Sequence, residues 1–121
     1  NSTVLKKNAD YHDDILKVTK ERVDEYQKRG VWDTYHDEIE LDILISGYLA
    51  ALKVMFLRYD KVPYQLFCDF QKFMNIEFRN IDKNPYIEKY ISEKYKILIA
   101  LLQIKIRENE LENVAEKFRK L

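Results

Sequence analysis

The stretch 41–57 constrains this chain more than any other; it reads Leu-Asp-Ile-Leu-Ile-Ser-Gly-Tyr-Leu-Ala-Ala-Leu-Lys-Val-Met-Phe-Leu. Apolar residues fill nearly every position, so a helix built from it needs cover on all sides. Such a helix is either swallowed by a bundle or placed in a bilayer. A bilayer span needs roughly 20 apolar residues with few charges. Asp42 and Lys53 interrupt the run, and Glu38 and Glu40 close it off upstream. The expectation is therefore an all-α fold: a compact bundle of four to five helices around a central apolar helix at about 34–59.

The rest of the composition fits that frame. A chain of 121 residues suits one domain and can bury a core without staples. Only two glycines and two prolines occur, which favours long helices with short joints. Lys+Arg and Asp+Glu both number 21, and a net charge of zero argues against a nucleic-acid partner. Cys68 stands alone, so no internal disulfide forms and a reducing compartment is expected. The opening Asn-Ser-Thr-Val-Leu-Lys-Lys has no long apolar core of a signal peptide, which again points to the cytoplasm. Asn1-Ser2-Thr3 matches a glycosylation sequon and is read as a chance match. The chain opens on Asn1 rather than methionine and reads as a piece excised from the C-terminal end of something longer. Residues 1–9 read as a connecting segment and residues 10–121 as a single helical domain.

Local signals place the joints. Asp10 suits an N-cap for a first helix over about 11–29, with Asp13 and Asp14 near the positive end of its dipole. Its apolar stripe reads Tyr11, Ile15, Val18, Arg22 and Tyr26, widened by Leu16 and Val23. Gly30 ends it in the left-handed conformation. Trp32, the one tryptophan, is expected to anchor the joint. Thr34 and Asp37 resemble a capping box for the second helix. Inside that helix Ser46, Gly47, Ala50 and Ala51 form a small-residue patch where another helix should approach closely. Pro63 opens a third helix, and Asn84-Pro85 reads as the N-cap and first residue of a fourth. Its stripe runs through Ile87, Tyr90, Ile91, Lys94, Leu98, Leu101 and Leu102. The tail is either one long helix or two, divided by a bend at 107–110.

Few residues offer chemistry. Tyr11-His12-Asp13-Asp14-Ile15 echoes Tyr35-His36-Asp37-Glu38-Ile39, so His12, His36 and Asp14 are conceivable metal ligands. Each histidine falls in the first turn of its expected helix, and solvated helix starts are the preferred reading. No Glu-x-x-His pair of a di-iron bundle occurs. Cys68 reads as packing rather than a nucleophile. The two glycines, Gly30 and Gly47, make no phosphate loop, and Glu40-x-Asp42 is the nearest approach to an Asp-x-Asp metal motif. Phe67, Phe70, Phe73 and Phe78 could line a ligand groove but read first as core. Lys61, Arg79, Lys83, Lys89, Lys94 and Lys96 would suit an anionic membrane surface if they gathered; as solvated charge they need no partner.

Several words of the sequence have a familiar order. Asn1-Ser2-Thr3-Val4, Tyr11-His12-Asp13-Asp14-Ile15-Leu16 and Arg22-Val23-Asp24-Glu25-Tyr26-Gln27-Lys28-Arg29-Gly30 resemble the region after the catalytic domain in bacterial family-2 glycosyltransferases of the GT-A type. Phe70-Gln71-Lys72-Phe73, Asn84-Pro85-Tyr86-Ile87 and Tyr95-Lys96-Ile97-Leu98 are similar to helical tails of capsule and surface-polysaccharide members. The resemblance implies a parent enzyme that transfers a sugar from a nucleotide-sugar donor with a divalent metal on an Asp-x-Asp motif. That motif and the catalytic base would lie upstream, so no catalytic, cofactor-binding or metal-binding residue is expected in this chain. Only Ser2 and Thr3 would border the active site. The helical part would then be a non-catalytic accessory domain that contacts its own catalytic domain, a second copy, or the inner face of the membrane. The alternative from the residues alone is an independent helical interaction or dimerisation module.

Overall fold

The computed structural model describes the backbone of residues 2–121 and the side chains of residues 12 and 14–121. Helix α1 spans Ser2–Lys28. A turn leads into α2 (His36–Ile43), a π-helical turn (Leu44–Leu49) and α3 (Ala50–Arg58), which together form one unbroken rod. Then follow α4 (Tyr64–Glu77), a 3₁₀ turn (Ile81–Lys83), α5 (Pro85–Tyr90), α6 (Glu93–Gln103) and α7 (Glu108–Arg119). No strand occurs among the described residues, and the expected helical bundle is what the chain forms.

The rod of α2, π turn and α3 is the axis. Ile43, Leu44, Tyr48, Leu49, Leu52, Met55 and Phe56 have no exposed surface. Helices α1, α4 and α6 press on its π turn, and α7 lies along α3. The apolar rod is therefore covered over most of its surface, with Asp42, Ser46, Leu57 and Arg58 left exposed. Phe67, Phe70 and Phe78 are buried core, and Phe73 packs on the core from its edge. Among the described residues no helix is long and apolar enough to cross a membrane.

Several joints stand where the local signals put them. Gly30 adopts φ +72° and receives the end of α1. Asn84 caps α5, its side-chain oxygen accepting from the Tyr86 N–H at 3.0 Å, with Pro85 following as the first helical residue. Trp32 is half-buried against the core and meets the His36 ring edge-on at 5.2 Å.

Others differ. Helix α1 begins at Ser2, so the expected connecting segment over 2–9 is helical and Asp10 lies inside the helix rather than at its cap. The stripe of α1 is rotated: His12, Leu16, Thr19 and Val23 face the core while Val18 is exposed, and Tyr11 lies outside the described side chains. Hydrophobicity alone favoured Val18 over His12 and Thr19, yet both polar residues carry hydrogen bonds that permit burial. The Thr34–Asp37 capping box is absent; Tyr35 is the N-cap and offers no side-chain bond, because the preceding turn is closed by Tyr35 N–H to the Val31 carbonyl at 3.0 Å. The expected fourth helix breaks at Ile91-Ser92, where the Ser92 hydroxyl accepts from the Tyr95 N–H and starts α6 afresh. The tail is two helices, with the break ending just before Glu108 rather than within 107–110.

Candidate functional site

Several polar side chains bind the backbone at the joints of the bundle. The Gln71 amide donates to the carbonyls of Leu101 and Ile104 at 3.0 and 2.7 Å, and Asn75 donates to Leu102 at 2.9 Å. Together they satisfy the open carbonyls at the end of α6, which a helix terminus leaves without partners. Arg119 does the same for α3, with Nε on Phe56 O at 2.6 Å and Nη2 on Tyr59 O at 2.8 Å. Val62 N–H donates to Glu112 at 2.6 Å, and the Tyr64 hydroxyl donates to Ile106 O at 2.8 Å. Helix α7 is thus clamped onto the α3–α4 joint at both ends.

The two histidines of the repeated pentad have different fates. His12 is fully buried in mid-helix; its Nε2 lies 2.9 Å from Ala51 O and its Nδ1 lies 3.4 Å from the Tyr59 hydroxyl. It is not the solvated helix start its sequence suggested, because Ala51 arrives from 39 residues away. His36 does sit in the first turn of α2, half-exposed, with Nε2 3.6 Å from Glu40 Oε2 and Nδ1 3.5 Å from Asp37 Oδ1. Asp14 is exposed. The structure gives His12 and His36 separate partners, and among the described residues no group of three His, Cys, Asp or Glu is placed to hold a metal ion.

The remaining candidates are also placed. Cys68 is half-buried on α4 with the Tyr64 hydroxyl as neighbour. Of the Glu40-x-Asp42 pair, Asp42 faces outward and binds Arg22 at 2.7 Å, while Glu40 turns inward and is 1% exposed. Of the basic residues, Lys96 pairs with Glu93 at 3.3 Å, Lys94 lies over the Phe118 ring and Lys89 flanks Tyr90.

What sequence reasoning missed is the polar seam between α2 and α5. Glu40 Oε1 accepts from Asn84 Nδ2 at 2.9 Å, and the same amide donates to Asp37 O at 3.0 Å. Burial holds the Glu40 carboxyl above its ordinary range, opposed by the Asn84 bond and the His36 charge and reinforced by Asp37. On the outer side of this seam α2 and α5 diverge into an open cleft of about 670 Å³. Its walls carry Asp33, His36 and Glu38 on one side and Tyr86, Lys89 and Tyr90 on the other. Tyr86 and Tyr90, one helical turn apart, stack with centroids 6.0 Å apart. Glu38 faces the Tyr86 hydroxyl and holds that phenol above its usual value. The cleft presents aromatic faces, carboxylates, one imidazole and the Lys89 side chain. Only the Asn84 cap was legible beforehand; an isolated glutamate at Glu40 gives no sign of burial.

A second polar pair, with Tyr48 buried and Glu77 half-buried, lies at the far end of α4. Tyr48 donates to Glu77 Oε2 at 2.8 Å, and burial raises the proton affinity of both groups. Comparison with known protein families, with curated proteins and with solved structures finds no match to this chain.

Proposed function

We propose that this chain is a non-catalytic helical accessory domain that works through its surface, and that its parent is a bacterial family-2 glycosyltransferase. The observation that supports a non-catalytic role is the assignment of the buried polar groups. His12 serves Ala51, Glu40 serves Asn84, Tyr48 serves Glu77 and Arg119 closes α3; each tie joins distant segments of the bundle. Groups tied in this way hold helices in register and are poorly placed to turn toward a substrate. The glycosyltransferase parentage is supported by the sequence words quoted above. In that reading the nucleotide-sugar and its divalent metal are held by the catalytic domain of the same chain, at the inner face of the membrane during surface-polysaccharide synthesis. A second copy or the membrane surface is a further contact.

The alternative is an independent interaction or dimerisation module. It is favoured by Tyr90, 58% exposed on the wall of the α2–α5 cleft, and by Tyr35, 56% exposed at the start of α2.

The deciding experiment compares the full reading frame with the 121-residue chain in a nucleotide-sugar turnover assay with Mn²⁺. The full protein should release nucleoside diphosphate and the chain alone should not. Turnover by the chain alone, or a reading frame with no nucleotide-sugar domain, overturns the proposal.

A further inference from the structure

We infer that Glu40, Asn84 and His36 form a pH-sensitive latch, which holds α5 against α2 in mildly acidic solution and loosens it as the pH rises. The geometry concentrates the attachment of α5 on one residue. Asn84 caps α5 through Tyr86 N–H, and its amide reaches both Asp37 O and Glu40 Oε1 on α2. Helix α5 has only six residues, and Ile87 is its one buried side chain. A helix that short has no stability of its own, so the seam decides whether it stays in place.

Glu40 is the group that responds. Its Oε1 is bonded to Asn84, and its Oε2 looks at His36 Nε2 across 3.6 Å. Ionised and 1% exposed, this carboxylate depends on a positive neighbour, because a buried charge with one neutral hydrogen bond is costly. His36 is the basic group that faces it. Asp37 on the same helix adds a negative charge to both groups. The cleft beyond His36 brings Asp33 and Glu38 from the α2 side and Lys89 from α5. The cavity on the other side of Asn84 brings Asp82, Glu88 and, from α6, Lys96. Of the basic groups around the seam, His36 is the one in contact with Glu40, at 3.6 Å.

The direction of the response follows from Glu40. The Glu40 carboxyl lies above its ordinary value of 4.5 in the fold. A raised acid stabilises the fold fully below that ordinary value and loses its contribution as the pH climbs through the raised one. Once ionised, the enclosed carboxylate is stable only with a matching positive charge or with water beside it. Opening the seam lets water reach Glu40 and frees the wall of the cleft that carries Tyr86 and Tyr90. The latch stands whether or not the parent is a glycosyltransferase.

Amide hydrogen exchange of the full 121-residue chain between pH 5 and pH 8, corrected for intrinsic base catalysis, tests the latch. Protection of the α5 amides should fall about tenfold over that range, while the α4 core stays level, since one unpaired buried charge is worth about that factor. Glu40→Gln keeps a carbonyl oxygen for Asn84 and removes the charge, so α5 should remain protected at pH 8. His36→Gln removes the group whose charge opposes the rise of the Glu40 carboxyl, so α5 should stay protected at pH 5 and lose more of its protection by pH 8 than wild type does. A flat wild-type profile, or a Glu40→Gln profile that follows wild type, overturns the inference. The α4 amides report whether either variant has lost the fold, and each variant tests the latch without the other.

Discussion

Replacing Gly47 by alanine sets two physical effects against each other. Gly47 sits in the π turn, and an ideal Cβ there would lie 2.6 Å from Thr19 Oγ1 and 2.8 Å from Thr19 Cγ2. Both distances are well inside van der Waals contact. Thr19 is 3% exposed and its hydroxyl is bonded to Ile15 O at 2.7 Å. Rotation of the threonine still leaves one γ atom in the way and breaks that bond. Overpacking of a tight contact costs about 1–3 kcal/mol, and the trapped threonine points to the upper half. Helix propensity opposes it, since alanine in a helix interior gains about 1 kcal/mol over glycine. The net expectation is a loss of about 1–2 kcal/mol, or a midpoint lower by about 4–8 °C for a domain of this size. Thermal and urea unfolding followed by circular dichroism measure it, and Thr19→Ala supplies the control. In the Thr19→Ala background the added methyl meets no γ atom, so Gly47→Ala should become neutral or stabilising by up to about 1 kcal/mol. Stabilisation by Gly47→Ala in the wild-type background would refute the close approach of α1 to the rod.

Other predictions follow from single contacts. Arg119→Met should cost about 1–3 kcal/mol, because it strands the carbonyls of Phe56 and Tyr59; Arg119→Lys should recover only part, since one ammonium cannot reproduce the two-pronged contact. Urea midpoints of the three proteins check this, and equal stability of the methionine variant would discard the clamp. Tyr48→Phe removes the donor that lowers the Glu77 carboxyl, leaving burial to raise it further above 4.5. The stability tied to protonated Glu77 is present below that value and lost as pH rises, so the variant should lose more stability between pH 4 and pH 7 than wild type does. A carboxyl carbon titration by NMR should show Glu77 moving upward; no change would mean the bond is absent in solution. Phe56→Ala opens a hole between Phe67 and Phe118 at the α3–α7 contact and should cost about 3–5 kcal/mol in the same urea assay. A cost below about 1 kcal/mol would mean that α7 does not seal the rod.

The sequence by itself determined several features written in neighbouring residues, though not the caps that Asp10 and Thr34 suggested. The all-round apolar run could end only inside a bundle. Gly30 had to turn the chain, Asn84-Pro85 had to start a helix, and the small residues around Gly47 had to admit another backbone. Each follows from a steric or hydrogen-bonding rule that acts within a few residues. Tertiary structure decided the fate of the polar groups. His12 and His36 occupy nearly the same local word, yet one is enclosed beside Ala51 and Tyr59 and the other stands over Glu40 at the mouth of a cleft. Glu40 and Asp42 lie two residues apart, and only the first is buried, because Asn84 reaches it from 44 residues away. Burying a charge or an imidazole depends on which remote group arrives to satisfy it, and that partner is named by the fold rather than by the flanking sequence.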